Sequence, residues 1–214
     1  MNSRTEIAAL FPATLYDFLS SGNGYKVRLA LAHLQLPYRY EEVDLVRGES
    51  RTSEFLARNP VGKIPVLVLA DGTVLCESNA ILWWLCEDSD WMPEGRLARQ
   101  RVLQWMSFEQ YNHEPTVAVL RARALHPEFG TLSEAQRTDL LKRGHLALDV
   151  MEQTLSRRPF LVEDQLSIAD VALYAYTHVA HQGGYDLHRY SGIRAWLARC
   201  RQGLPALRID ETPA

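Results

Sequence analysis

The sequence predicts an α+β domain followed by an all-α domain. Three observations carry this prediction. Strand-sized apolar segments and their turns are confined to the first part of the chain. A short polar segment broken by Pro and Gly, Ser89-Asp90-Trp91-Met92-Pro93-Glu94-Gly95, follows them. Beyond it, strand signals vanish and only helix-sized amphipathic segments remain. The polar segment reads as a linker, which sets the domains at residues 1–88 and 96–214.

The elements follow in order. Ala13 to Phe18 is short, apolar and aromatic, and it breaks at Ser20-Ser21-Gly22-Asn23-Gly24. The chain resumes with helical spacing from Tyr25 to Leu34, which gives strand, turn, helix. Pro37 stops that helix, and Tyr38 to Val43 suits a second strand, completing a βαβ unit. A short helix over about Ser53 to Ala57 precedes Asn59-Pro60. Pro65 to Leu69, the Asp71-Gly72 turn and Thr73 to Leu75 then read as a hairpin. Ser78 caps a helix through Ile81, Leu82, Trp84 and Leu85. The order βαβ-α-ββα is that of a thioredoxin-like domain. The helical half is expected to run from Arg96 to Leu125, Ser133 to Leu155 behind the capping box Ser133-Glu134-Ala135-Gln136, Ile168 to His181, and Ser191 to Arg201.

Composition narrows the functional classes. With 214 residues and 47% hydrophobic content the chain can bury a core. Net charge is only −3 and Lys and Arg are scattered, so no electrostatic footprint for nucleic acid or anionic lipid is present. Partners are expected to be small molecules or proteins. The longest apolar runs, Ile64 to Ala70 and Ala80 to Cys86, fall far short of the roughly 20 residues that cross a bilayer. Met1 to Phe11 lacks the build of a secretory signal, so the expected compartment is the cytoplasm. Cys76, Cys86 and Cys200 form no Cys-x-x-Cys pair, which points to buried free thiols and to neither a disulfide framework nor a metal site.

Three stretches together resemble the glutathione transferase family over nearly the whole chain. Ser21-Gly22-Asn23-Gly24-Tyr25-Lys26-Val27-Arg28 is similar to the turn that opens the first helix of many bacterial members. Asn59-Pro60-Val61-Gly62-Lys63-Ile64-Pro65-Val66-Leu67, followed by Glu77-Ser78-Asn79-Ala80-Ile81, resembles the glutathione-binding signature. Ser167-Ile168-Ala169-Asp170-Val171-Ala172-Leu173 is similar to the capping box and staple that begin the buried helix of the family's all-α domain.

The resemblance implies an enzyme that binds glutathione and adds its thiolate to a small apolar electrophile in a cleft between the domains. A thiol of reference pKa near 8.5 must be shifted toward its anion to react at neutral pH. A hydroxyl donated to the sulfur beside helix N-terminal N–H groups does this. Ser21 stands at such a turn, and Asn23 is the alternative donor. Tyr16, inside the first strand, reads as core. A cis Ile64-Pro65 bond would present the Ile64 backbone to an extended peptide, and glutathione would dock there as an added strand. Glu77 and Ser78 at a helix start would take the γ-glutamyl end, and Lys63 the glycyl carboxylate. Ser50, flanked by Arg51, stands where the family often has Gln or His. Tyr111, His113 and Arg121 fall on a segment that resembles the wall of the second-substrate pocket, and a homodimer is implied. The other classes are a glutathione-dependent disulfide or peroxide oxidoreductase and a non-catalytic binding module.

Overall fold

The computed structural model describes residues 7–213. Its contacts group into two units, one reaching to Met92 and regaining the chain from Leu204 onward, the other spanning Pro93–Gly203. The boundary after Met92 lies inside the predicted linker segment. The return of the last residues to the first unit differs from the expected 96–214 domain, and its cause is a set of hydrogen bonds to the first helix, described below.

The first unit runs β1 (Ala13–Asp17), α1 (Gly22–Leu34), β2 (Tyr38–Glu42), a 3₁₀ turn (Glu49–Arg51), α2 (Ser53–Arg58), β3 (Val66–Val68), β4 (Val74–Cys76) and α3 (Ser78–Cys86). The sheet order is β2-β1-β3-β4. β1 and β2 are parallel, as a helical crossover requires, with Ala13 opposite Tyr38 and Asp17 opposite Glu42. β3 runs antiparallel to both β1 and β4, with Val66 opposite Tyr16 and Cys76. This is the thioredoxin-like arrangement that the element order predicts. Strand alternation buries Ala13, Leu15 and Asp17 on one face of β1. Val43, Phe55 and Val66 form a small core, packed by Tyr16, Leu45, Ile64, Val68 and Cys76.

Helix α1 begins on Ser21, whose Oγ accepts the Asn23 N–H at 3.2 Å, an N-cap bond. It ends at Gln35 in the left-handed region, φ 55°, where that residue's N–H returns to Leu31 and Ala32 carbonyls. The Ile64–Pro65 bond is cis, and so is Phe11–Pro12.

The second unit is helical: α4 (Arg96–Phe108), α5 (Glu114–Leu125), α6 (Glu134–Leu155), α7 (Ile168–Thr177) and α8 (Ser191–Gly203). The helix predicted over Arg96 to Leu125 is interrupted by a π turn at Glu109–His113. Pro115 lies just beyond it at the start of α5 and has no N–H to give the preceding turn, so the backbone widens there. The helix predicted to reach His181 stops at Thr177, and a 3₁₀ turn follows at Ala180–Gly183. All ten residues of α7 are buried. A chain segment buried all round needs a polar anchor, and Asp170 supplies one. Its carboxylate accepts the Leu161 and Ser167 N–H groups at 2.9 Å each, the Ser167 hydroxyl at 2.8 Å and the Trp196 indole N–H at 2.8 Å.

Candidate active site

The first unit brings two helix starts together. Ser21 caps α1, and Ser78 is the first residue of α3, where Glu77 precedes it with φ 66°. Asn23 joins them: its Oδ1 accepts the Ser78 hydroxyl at 3.3 Å and the Lys26 ammonium at 3.0 Å. The Lys26 Nζ also donates to Asn79 Oδ1 at 3.2 Å and to Ser78 Oγ at 3.5 Å. N–H groups at both helix starts, together with a buried cation, make this an anion-attracting corner. Ser21 is half-buried, and because its oxygen only accepts from Asn23, its hydroxyl proton is the group it has to give.

Glutathione candidates near this corner are arranged as follows. Ile64 stands half-buried one residue ahead of buried Pro65, which leads into β3. Lys63 is exposed, and its carbonyl accepts the Asn59 side-chain amide at 2.7 Å, which holds the loop. Arg51 closes the same loop by donating to the Val61 carbonyl at 3.0 Å. Gly62 there has φ 66°, and a Cβ on it would meet the Ser50 carbonyl at 2.9 Å and the Arg51 guanidinium at 2.5 Å. Arg51 therefore acts as a brace of the loop, with Ser50 buried beneath it. Glu77 is exposed and Ser78 is buried.

In the second unit, Tyr111 is 83% exposed, whereas His113 and Arg121 are buried. The His113 Nε2 lies 3.0 Å from the Thr177 hydroxyl, and the Arg121 Nε donates to Gln182 Oε1 at 2.7 Å. These two side chains are spent on holding the π turn and α5 to their neighbours. Of the expected second-substrate residues, Tyr111 alone offers a surface.

The sequence alone assigns no role to three charged residues of this region. Asp17 is fully buried at the end of β1, against the first turn of α1, where a Cβ on Gly24 would fall 1.7 Å from its Oδ1. Glycine is therefore the residue that fits at position 24. Burial pushes the Asp17 carboxyl up to about 7, and the nearby Arg28 guanidinium only partly offsets it. The Arg28 Nε sits 3.3 Å from Asp17 Oδ2. Its NH2 donates to the Leu19 carbonyl at 2.7 Å and the Ile209 carbonyl at 2.9 Å, and its NH1 to the Glu211 carbonyl at 3.2 Å. Tyr25 adds a hydroxyl bond to the Leu207 carbonyl at 2.7 Å. Lys26, the third, is described above. The sequence signals for the two cations are their place in the Ser21–Arg28 run and the way they flank Val27 at the head of an otherwise apolar helical run.

The three cysteines are free, with Cys86 and Cys200 buried and Cys76 half-buried. Burial raises all three thiols, Cys86 to about 12, which makes them poor nucleophiles at neutral pH. Among the described residues no group of three or more His, Cys, Asp or Glu side chains converges as metal ligands, and no helix is long and apolar enough to cross a membrane.

A four-stranded mixed sheet with helices, followed by a separate all-helical unit, defines the class of two-domain proteins built on a thioredoxin-like first domain. Residues 20–88 match the family model "Glutathione S-transferase, N-terminal domain", and residues 134–199 match "Glutathione S-transferase, C-terminal domain". The crystal structure of a glutathione S-transferase from Pseudomonas fluorescens is 49% identical, covers 94% of this chain and 98% of its own, and superposes with a TM-score of 0.86. A maleylacetoacetate isomerase of Pseudomonas aeruginosa is 31% identical over 223 residues, covering 94% of this chain and 99% of the relative. A disulfide-bond oxidoreductase of Escherichia coli is 29% identical over 191 residues, covering 86% and 88%. The chain belongs to the glutathione transferase family. Its relatives span transfer, isomerisation and disulfide chemistry, so membership alone leaves the reaction open.

Proposed function

We propose that this protein is a glutathione transferase in which Ser21 stabilises the thiolate of bound glutathione for addition to a small apolar electrophile. The observation that carries the reading is the joining of the α1 and α3 starts through Asn23, Ser78 and Lys26, with Ser21 capping α1 beside them. On this reading the γ-glutamyl carboxylate is taken by the α3 N–H groups and by the Ser78 hydroxyl, which turns to it from Asn23 Oδ1 when the ligand binds, and Glu77 holds the α-amino group. Ile64, ahead of Pro65, pairs the cysteinyl backbone, and Lys63 meets the glycyl carboxylate. The Ser21 hydroxyl donates to the sulfur, and the α1 N–H groups favour the anion. The thiolate then forms the S–C bond, and the electron pair it displaces leaves with the leaving group or, in an addition, takes a proton from solvent. Tyr111 is the residue carried forward for second-substrate contact, and no metal takes part. A homodimer in the cytoplasm belongs to the same reading.

The test is retention on immobilised glutathione, followed by pH titration of thiolate absorbance in the complex. Ser21→Ala is expected to raise the pKa of the bound thiol by one to two units, or about 1.4–2.7 kcal/mol, with little change in affinity. No retention would make the protein a binding module of another kind. Retention without thiolate would make it a carrier.

A second reading has one specific support. Asn23 uses its carbonyl oxygen to accept from Lys26 and Ser78, so the groups it can donate are its side-chain amide hydrogens, two positions along α1 from Ser21. With Asn23 as the sulfur's donor, the thiolate attacks a disulfide, the attacked sulfur's partner leaves as thiolate, and a second glutathione resolves the mixed disulfide to release oxidised glutathione. A larger thiol pKa shift in Asn23→Ala than in Ser21→Ala would favour it.

A further inference from the structure

We propose that Lys26 is the positioning residue of the glutathione site, setting at once the donor face of Asn23 and the hydroxyl of Ser78. The proposal rests on the reading that glutathione binds at the joined starts of α1 and α3.

Lysine is among the residues least often buried, because an ammonium loses its hydration unless protein acceptors replace it. Lys26 has no exposed surface. Its three N–H donors find three side-chain oxygens: Asn23 Oδ1 at 3.0 Å, Asn79 Oδ1 at 3.2 Å and Ser78 Oγ at 3.5 Å. Two of those oxygens belong to α3 and one to α1, so the ammonium is shared between the two helices. This has two effects that a neutral or apolar residue would not have.

The first concerns orientation. An Asn amide can turn either end toward a neighbour, but an ammonium accepts no hydrogen bond and takes only the carbonyl end. The Ser78 hydroxyl, at 3.3 Å from the same Oδ1, reinforces that choice. With the carbonyl end fixed in this way, the Nδ2 end of Asn23 is the donor end. The second effect concerns charge. A cation buried one turn into α1 adds to the partial positive charge of both helix starts and favours any anion placed on them. The sulfur anion at α1 and the carboxylate at α3 are two such anions. One lysine thus couples the thiol end of the ligand to its γ-glutamyl end.

The experiment uses the full-length protein with reduced glutathione as the probe. Lys26→Met, checked for folding by its thermal transition, is expected to weaken glutathione binding about tenfold by calorimetry. It should also raise the pKa of the bound thiol by about one unit in the thiolate titration. The part of the thiol effect that runs through Asn23 is absent from an Asn23→Ala background, so Lys26→Met placed there should shift the thiol pKa less than it does on the wild type, the remainder being the direct loss of charge. A merely structural lysine would lower the melting temperature and leave that non-additivity out. If Lys26→Met does not fold, Lys26→Gln carries the test: its amide still donates to Asn23 but brings no charge, so affinity should fall while the thiol pKa shifts by less than one unit. Unchanged affinity and an unchanged titration in a folded Lys26 variant, from a wild type that binds glutathione, would overturn the Lys26 assignment alone. A wild type that does not bind glutathione would overturn the site reading and this proposal together.

Discussion

Replacing Asp17 by Asn should change how stability depends on pH while leaving the shape of the site in place. Asp17 is wholly buried, its oxygens lack a hydrogen bond of normal geometry, and its carboxyl is raised from 3.8 to about 7, chiefly by burial and against the pull of Arg28. The sign follows from proton binding. Between pH 3.8 and about 7 the native state keeps the proton and the unfolded chain has lost it, so the native state holds more protons and stability falls as pH rises. The penalty is absent below the unfolded pKa and complete above the folded one. In full it amounts to about 4 kcal/mol, from a gap of roughly three pKa units at about 1.4 kcal/mol each. Asn is nearly isosteric and does not titrate. Groups common to both proteins cancel, so the wild type should lose about 2 kcal/mol relative to Asp17→Asn between pH 5 and pH 7. Urea unfolding of both proteins at half-unit steps of pH measures this difference. Curves that run parallel across the window would show that Asp17 is ionised in the native state throughout, with Arg28 outweighing burial.

Other outcomes follow from other parts of the molecule. Glu77→Ala and Ser78→Ala should each weaken glutathione binding by about 1.5–3 kcal/mol, with a much smaller effect on the rate at saturation, as read by calorimetry and steady-state kinetics. Asp170→Ala leaves the donors from Leu161, Ser167 and Trp196 without their acceptor in a buried site, and should cost about 3 kcal/mol or more in urea unfolding, with Asp170→Asn recovering part of it. On the helical unit, Val150 is 42% exposed and lines a cavity of about 420 Å³ with Trp105, Phe108 and Arg101. If the apolar residues set in that otherwise polar wall pair two copies, the wild type is a dimer by light scattering at micromolar concentration and Val150→Glu a monomer.

The parts of this fold that were legible in the sequence are those governed by local rules. Ser133 and Gln136 bond reciprocally as their spacing predicts, and Ser167 and Asp170 do the same. The hairpin around Asp71-Gly72 and the βαβ start also follow from period and turn chemistry. The surroundings of charged residues were not legible. Asp17 closes a strand and Lys26 and Arg28 sit near a helix start, where a charge is ordinarily solvated; Asp17 lies against Gly24 and Arg28, Lys26 meets α3, and Arg28 meets residues more than 180 positions away. The π turn was more accessible, since Pro115 inside a helical run signals a break. His113 and Arg121 illustrate the limit for the site: the resemblance assigns them to the expected second-substrate wall, but which face packs inward depends on α7 and the turn after it.

The return of the chain from Leu204 to the first unit has a consequence for how the protein is made. A ribosome releases α1 well before the segment that returns to it, so Tyr25 and Arg28 meet the carbonyls of Leu207, Ile209 and Glu211 only after the helical unit has been made. The first unit is discontinuous in sequence, and it is complete only once the segment from Leu204 to Glu211 has emerged. Both side chains grip main-chain carbonyls, of Leu207, Ile209 and Glu211, and so read the path of the tail with little regard to its side chains. Leu204 and Ile209 are buried and set the register of that path. A tail cut before Ile209 would leave the Arg28 guanidinium buried without the Ile209 and Glu211 carbonyls that close it in.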